Sequence, residues 1–143
     1  MMKRTILTAA IFVAGMAAGM SMKSGAVAHA QAGSHVYELR TYTAADGKLD
    51  ALKARFRDHT ITIFNKHQMK SIGYWVPQDA PLSQNTLIYI LEHPSREAAK
   101  ANWAAFGADP EWVKVKADSE VNGKLTTKVE SVFVDPTDFS PIK

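Results

Sequence analysis

Few side chains in this chain are equipped to move a proton or hold a ligand, and His59 stands first among them. It follows Phe56 by three and precedes Ile63 by four, so on an α-helix its imidazole joins an apolar face and points toward the protein interior. A histidine so placed can act as a general base, or bind haem iron through a ring nitrogen. The same placement describes a core histidine satisfied by one or two hydrogen bonds. Tyr74 and Trp75 are adjacent on a strand and point to opposite faces. One is expected on the helix side of the sheet with His59, as an aromatic wall bearing a phenol; the plain alternative for both is packing. Glu38, Arg40 and Tyr42 alternate on a strand and share a face. Arg40 there can bind a carboxylate, or can pair with Glu38 to fix the register of two subunits. Arg40, Tyr42, Trp75 and Trp103 form the candidate ligand-binding set, with His59 and Tyr74 as candidate catalytic residues. Trp103 and Trp112 also read as packing against a sheet.

Metal chemistry is not expected. His35, His67 and His93 form no pair at zinc-motif spacing, and His59 has no carboxylate three or four residues away on its helix. Asp58 is adjacent to it and points elsewhere. Cysteine is absent, which removes thiolate ligands, cysteine nucleophiles and disulfides together.

The elements that must position these residues follow from periodicity and punctuation. Residues 36–43 are β-branched and aromatic and predict a strand; Asp46-Gly47 breaks it, with Asp46 as helix cap. Apolar residues at Leu49, Leu52, Phe56 and Ile63 predict a helix over 48–67. Residues 70–76 predict a second strand, 77–85 a loop, and 86–92 a third strand whose near-continuous apolar character points to burial on both faces. Ser95 caps a second helix bearing Ala99, Trp103 and Phe106 on its apolar face and ending at Gly107. Asp109-Pro110 opens a short further helix, with Pro at its first position. Asn122-Gly123 is a turn, 124–134 the last strand, and 135–143 a tail.

The order βαββαβ predicts an α+β, ferredoxin-like fold. Helices on one face of a four-stranded sheet leave the other face bare. Neither the Val36, Glu38, Arg40, Tyr42 set nor the Tyr37, Leu39, Thr41 set is uniformly polar, so a homodimer is expected to cover it.

The run Tyr37-Glu38-Leu39-Arg40-Thr41-Tyr42-Thr43 resembles the opening strand of NIPSNAP domains. Gly47-Lys48, His59, Gly73-Tyr74-Trp75, Asp109-Pro110-Glu111-Trp112 and Phe139-Ser140-Pro141 follow in that family's order and approximate spacing. The resemblance covers residues 34–141. It implies a dimeric α/β barrel in which two ferredoxin-like sheets pair and helices cover the outside, and it implies no particular reaction. Two departures stand out: Gln68-Met69 occupies a place where relatives often carry Gly, and the tail beyond Pro141 is short.

Three functions fit these observations. One is a domain binding a small apolar or aromatic ligand between sheet and helices. A second is an enzyme, since barrels of similar architecture include cofactor-free monooxygenases and haem-using enzymes. There His59 would take a proton from an acidic aromatic substrate, Tyr74 would hydrogen-bond its oxygen, and the carbanion would react with oxygen. The third is a dimeric interaction module of the cell envelope.

Residues 1–30 read as a secretory signal peptide rather than fold. Lys3 and Arg4 precede an apolar run from Ile6 to Met20, and Ala28-His29-Ala30 and Ala30-Gln31-Ala32 supply overlapping cleavage sites. The run falls short of the roughly 20 residues a spanning helix needs. The expected product is an exported protein, periplasmic or secreted, with no membrane span after cleavage. The leader holds Lys3, Arg4 and Lys23 and no acidic residue, so the mature chain carries 17 − 3 = 14 basic against 14 acidic residues. That balance lacks the basic excess of a nucleic-acid binder.

Overall fold

The computed structural model describes residues 35–142. Strand β1 (Val36–Ala44) leads into helix α1 (Leu49–Arg55), a π-helical turn (Phe56–Thr60) and helix α2 (Ile61–Lys66). Strands β2 (Lys70–Trp75) and β3 (Thr86–His93), helices α3 (Arg96–Ala108) and α4 (Pro110–Ser119), and strand β4 (Thr126–Val134) complete the order. The four strands form one antiparallel sheet in the order β2-β3-β1-β4. This is the ferredoxin-like α+β arrangement expected from the pattern. No helix among the described residues is long and apolar enough to cross a membrane. The expected signal peptide lies outside the described residues.

The caps were partly legible. Ser95 accepts from the Ala98 amide at 3.1 Å and Asp109 from the Glu111 amide at 2.8 Å, each satisfying a free N–H at a helix start. Asp46 does not cap α1. The residue before that helix is Lys48, and its amide bonds the Ala45 carbonyl across a turn that Gly47 closes with φ +67.

The core lies between helices and sheet, around Leu52, Phe56, Ile63, Phe64, Tyr89, Leu91 and Phe106. Leu87, Tyr89 and Leu91 turn inward from β3, while Ile88 and Ile90 stay partly exposed on the far face. Burial of β3 on both faces, expected from its apolar run, is therefore complete only on the helix side of this chain. The far face also carries Trp75, Val132 and Val134, which are 49%, 55% and 39% exposed. The Trp75 indole lies over Gly73, where a Cβ would come within 2.7 Å of the ring. Glycine is what leaves room for the ring there.

Two local insertions decide which side chains meet. In β2 the register slips between Ser71 and Gly73, so Ser71 pairs with Leu91 and Tyr74 with Tyr89 on one face, despite their odd spacing. The Ser71 and Tyr74 hydroxyls then meet at 2.6 Å. In the first helix the π turn closes with the Ile61 amide on the Phe56 carbonyl, i to i−5 rather than i to i−4. The extra residue rotates the helix face: Thr60 takes the buried position, 1% exposed, and His59 turns out to solvent. The Thr60 hydroxyl donates to the Arg55 carbonyl at 3.2 Å, which helps satisfy the wide turn.

This exchange makes a direct test. His59→Ala should change unfolding stability by less than about 0.5 kcal/mol, whereas Thr60→Ala should cost about 1–2 kcal/mol through a lost buried hydrogen bond and methyl. Urea denaturation of the two variants reads this, and the reverse ranking would refute the rotated face.

Candidate functional site

Charge inside the fold is organised around Glu38, 1% exposed on β1. Its Oε1 accepts from Arg40 Nη1 and from Ser131 Oγ, each at 2.6 Å. Its Oε2 accepts from Trp103 Nε1 at 2.6 Å and His93 Nε2 at 3.1 Å. An ionised carboxylate only accepts, so His93 carries its proton on Nε2. Burial would raise the Glu38 pKa, but the hydrogen bonds from His93, Ser131, Trp103 and Arg40 outweigh it and hold the group at about 2. The Arg40 guanidinium sits 4.1 Å from the Trp103 ring centroid, and its Nη2 reaches the Tyr42 hydroxyl at 3.4 Å. Arg40 therefore faces the helices and pairs within its own chain. Its alternative role, fixing the register between two subunits, does not fit this position.

Beside this network lies a cavity of about 160 Å³ between the β1–β4 part of the sheet and the helices. Tyr42, Phe56, Phe64, Phe106 and Trp112 supply aromatic walls; Arg55, Thr60, Lys116, Glu120 and Thr126 supply the polar groups. The Arg55 side chain is only 5% exposed. Its Nη1 donates to Glu120 Oε1 at 3.0 Å and to Ser119 Oγ at 3.2 Å, and its guanidinium carbon lies 5.2 Å from the Trp112 ring centroid. Its Nε has no partner among the described residues. Asp109 sets the position of α4 and hence of Trp112, Lys116 and Glu120. While one oxygen caps α4, the other accepts from Lys66 Nζ and His67 Nε2, each at 2.7 Å. Those bonds, with Lys66 first, hold the Asp109 carboxyl well below the usual range.

The expected site residues do not converge. Tyr42 lines the cavity. Tyr74 lies beyond Phe56 and Tyr89, stacked on Tyr89 at 5.4 Å, and burial pushes its phenol pKa up. Trp103 uses its N–H on Glu38 and packs its ring on Phe64 and Phe106. Trp75 is on the opposite face of the sheet. His59 sits in an outer groove with Asp58, Glu111, Lys114 and Asp118, not against the sheet. The expectation that His59 and Tyr74 share a pocket is thus corrected: the π turn carries His59 away. The charged rim and exposure of that groove do not fit a porphyrin, which needs closed apolar walls around its axial ligand. Among the described residues no group of three or more His, Asp or Glu is placed to hold a metal ion.

Arg55 and Thr60 were missed from sequence. Arg55 falls three residues after Leu52, beside Phe56, and that spacing was the available signal. An arginine at the margin of an apolar stripe ordinarily reads as solvated, and the turn that buries Thr60 leaves no mark in the periodicity.

Comparison with known proteins follows this geometry. A family model described as NIPSNAP matches residues 37–141. Among solved structures, a NIPSNAP family protein with unknown function from Agrobacterium tumefaciens is 25% identical, with 77% of this chain and 95% of that chain covered and a TM-score of 0.67. A second NIPSNAP family protein from the same organism is 26% identical, with 76% and 99% covered and a TM-score of 0.66. An uncharacterized NIPSNAP-like domain protein from Burkholderia xenovorans, 21% identical over 76% and 90% of the two chains, shares the fold at a TM-score of 0.65. No curated protein matches the chain.

The buried carboxylate gives a pH prediction. Because the folded pKa of Glu38 lies near 2, below its ordinary 4.5, its contribution is full above about pH 4.5 and is lost as pH falls toward 2. That contribution is on the order of 3 kcal/mol. Glu38→Gln should flatten the acid limb of stability in urea melts between pH 5 and 2 by roughly this much. An unchanged limb would show that Glu38 is not held ionised.

Proposed function

The chain belongs to the NIPSNAP family, and on that premise we propose that it is an exported, dimeric binding domain that takes a small apolar or aromatic ligand in the cavity between sheet and helices. The observation that carries the ligand reading is the cavity itself: five aromatic side chains line it, and its polar groups are few, from Arg55 at the end of α1, Thr60 on the π turn, Lys116 and Glu120 at the end of α4, and Thr126 on β4. Binding sites are typically concave and apolar with few, placed polar groups. Helical π turns recur at functional sites, because they free backbone and side-chain positions that a regular helix would use internally. A volume near 160 Å³ is close to the roughly 150 Å³ that accepts benzene in a protein interior. The site therefore suits a single ring.

Dimerisation is supported by the far face of the sheet. Leu39, Ile88, Ile90, Val132, Val134 and Trp75 share it, and no element of the described chain covers them. Two such faces packed together remove this apolar surface from water and form the barrel that the family resemblance implies. Export rests on the leader at residues 1–30. The proton-transfer enzyme built on His59 and Tyr74 loses its support, because those two residues belong to different surfaces.

Neutral one-ring probes test the ligand reading. Titration with toluene or benzamide should shift the NMR signals of the Thr60 amide and the Trp112 indole and leave those of His59 in place. Saturation at about 100 times Kd should stabilise the fold by roughly 2.7 kcal/mol. If neither probe moves Thr60 or Trp112, the cavity is not a binding site. For the dimer, light scattering at micromolar concentration should give twice the mature mass, and Ile90→Arg should halve it while keeping the fold. A wild-type monomer would sink the dimer.

A further inference from the structure

Positive charge that is both exposed and unpaired lies on the helix side of the sheet, at the start of α3. Arg96 and Lys100 stand one turn apart there, and neither forms an ion pair among the described residues. The acid beside them, Glu97, is engaged elsewhere: its own backbone amide and then the Ser95 hydroxyl bond its carboxylate and lower its pKa, with Arg96 adding only a weaker field. Arg96, Glu97, Lys100, Trp103 and Phe133 line an open groove of about 470 Å³ between α3 and the end of β4. Its floor is two partly exposed rings, each fixed. The Trp103 N–H donates to Glu38 at 2.6 Å, and the Arg40 guanidinium carbon lies 4.1 Å from the Trp103 ring centroid. Phe133 lies under the Arg96 guanidinium, whose carbon is 4.6 Å from the ring centroid. A guanidinium stacked in this way keeps the N–H groups on its edge free for an acceptor.

We propose that this groove docks an acidic peptide segment of another protein, with carboxylates on Arg96 and Lys100 and an apolar side chain against Trp103 and Phe133. The two cations select negative charge, and the rings select an apolar residue beside it. An open groove admits a length of chain, whereas small molecules are held by enclosing walls. Because both rings are already fixed, binding costs little ordering on this side. Phe133 pairs across β1 with Glu38 and so shares the helix side of the sheet, which leaves the groove uncovered when the far face meets a second copy. The proposal stands apart from the cavity and its ligand, and it needs no residue of that lining.

The test titrates the mature protein with the peptide Ac-Glu-Phe-Glu-Glu-NH2 and its counterpart Ac-Lys-Phe-Lys-Lys-NH2, followed by NMR of the three tryptophan indole N–H signals. The acidic peptide should move the Trp103 signal and leave that of Trp75 in place. Its Kd should rise about threefold or more as salt is raised from about 0.05 to about 0.5 M. Lys100→Glu, an exposed substitution that keeps the fold, should weaken it about tenfold by reversing one charge. A Trp103 signal unmoved at millimolar peptide, equal binding of the lysine peptide, or a Kd unchanged in Lys100→Glu would overturn the proposal. So would binding of oligothymidylate in place of the acidic peptide, which would make the groove a nucleic-acid site.

Discussion

A carboxylate stays ionised inside a protein only when every charge and lone pair is answered, and that requirement at Glu38 constrains most of this fold. Its partners come from β1 itself, from β3 through His93, from β4 through Ser131 and from α3 through Trp103. Three strands and a helix are thereby held in one register. A slip of one residue in any of these strands would turn a partner to the other face of the sheet and leave a buried charge unpaired, at a cost of several kcal/mol. Arg40, fixed between Glu38, Tyr42 and Trp103, then passes this order on to the aromatic side chains beside it.

The cavity is built at the border of this rigid region, and its parts come from opposite kinds of local structure. Tyr42 is delivered by the regular alternation of β1. Thr60 is delivered by an irregularity, the π turn, and Arg55 stands at its start. The third wall, α4, is tied down by Asp109, which joins its first turn to the end of α2. Sheet, wide turn and capped helix meet where Arg55 reaches Glu120.

The far face of the sheet belongs to a different logic. Its charges pair at the margins, Glu92 with Lys70 and His35, and Lys128 with Glu130, around an apolar group that includes Trp75, whose ring lies over Gly73. Its apolar residues are what support the dimer proposed above. The two faces thus differ: one holds a buried charge, aromatic rings and a cavity, the other exposed apolar residues with ion pairs at their margins.

Much of this was present in the sequence. Alternation in residues 36–43, the caps at Ser95 and Asp109, and the order βαββαβ determined the elements and their topology, because each depends on short-range periodicity or on one side chain meeting a nearby backbone group; the family came instead from the resemblance of motifs spread from Tyr37 to Pro141. The placement of Glu38, Arg40 and Tyr42 on one face also followed from alternation alone. What the tertiary structure decided was which residues of a helix face inward and which strand residues meet. A single extra residue in the π turn exchanged His59 for Thr60, and a single slip in β2 brought Ser71 to Tyr74. Helical and strand periodicities assume an unbroken ladder of hydrogen bonds, and an insertion of one residue leaves the composition of the stripe almost unchanged while rotating everything that follows. The buried state of Arg55 is of the same kind, since it depends on Ser119 and Glu120, more than sixty residues away in the chain.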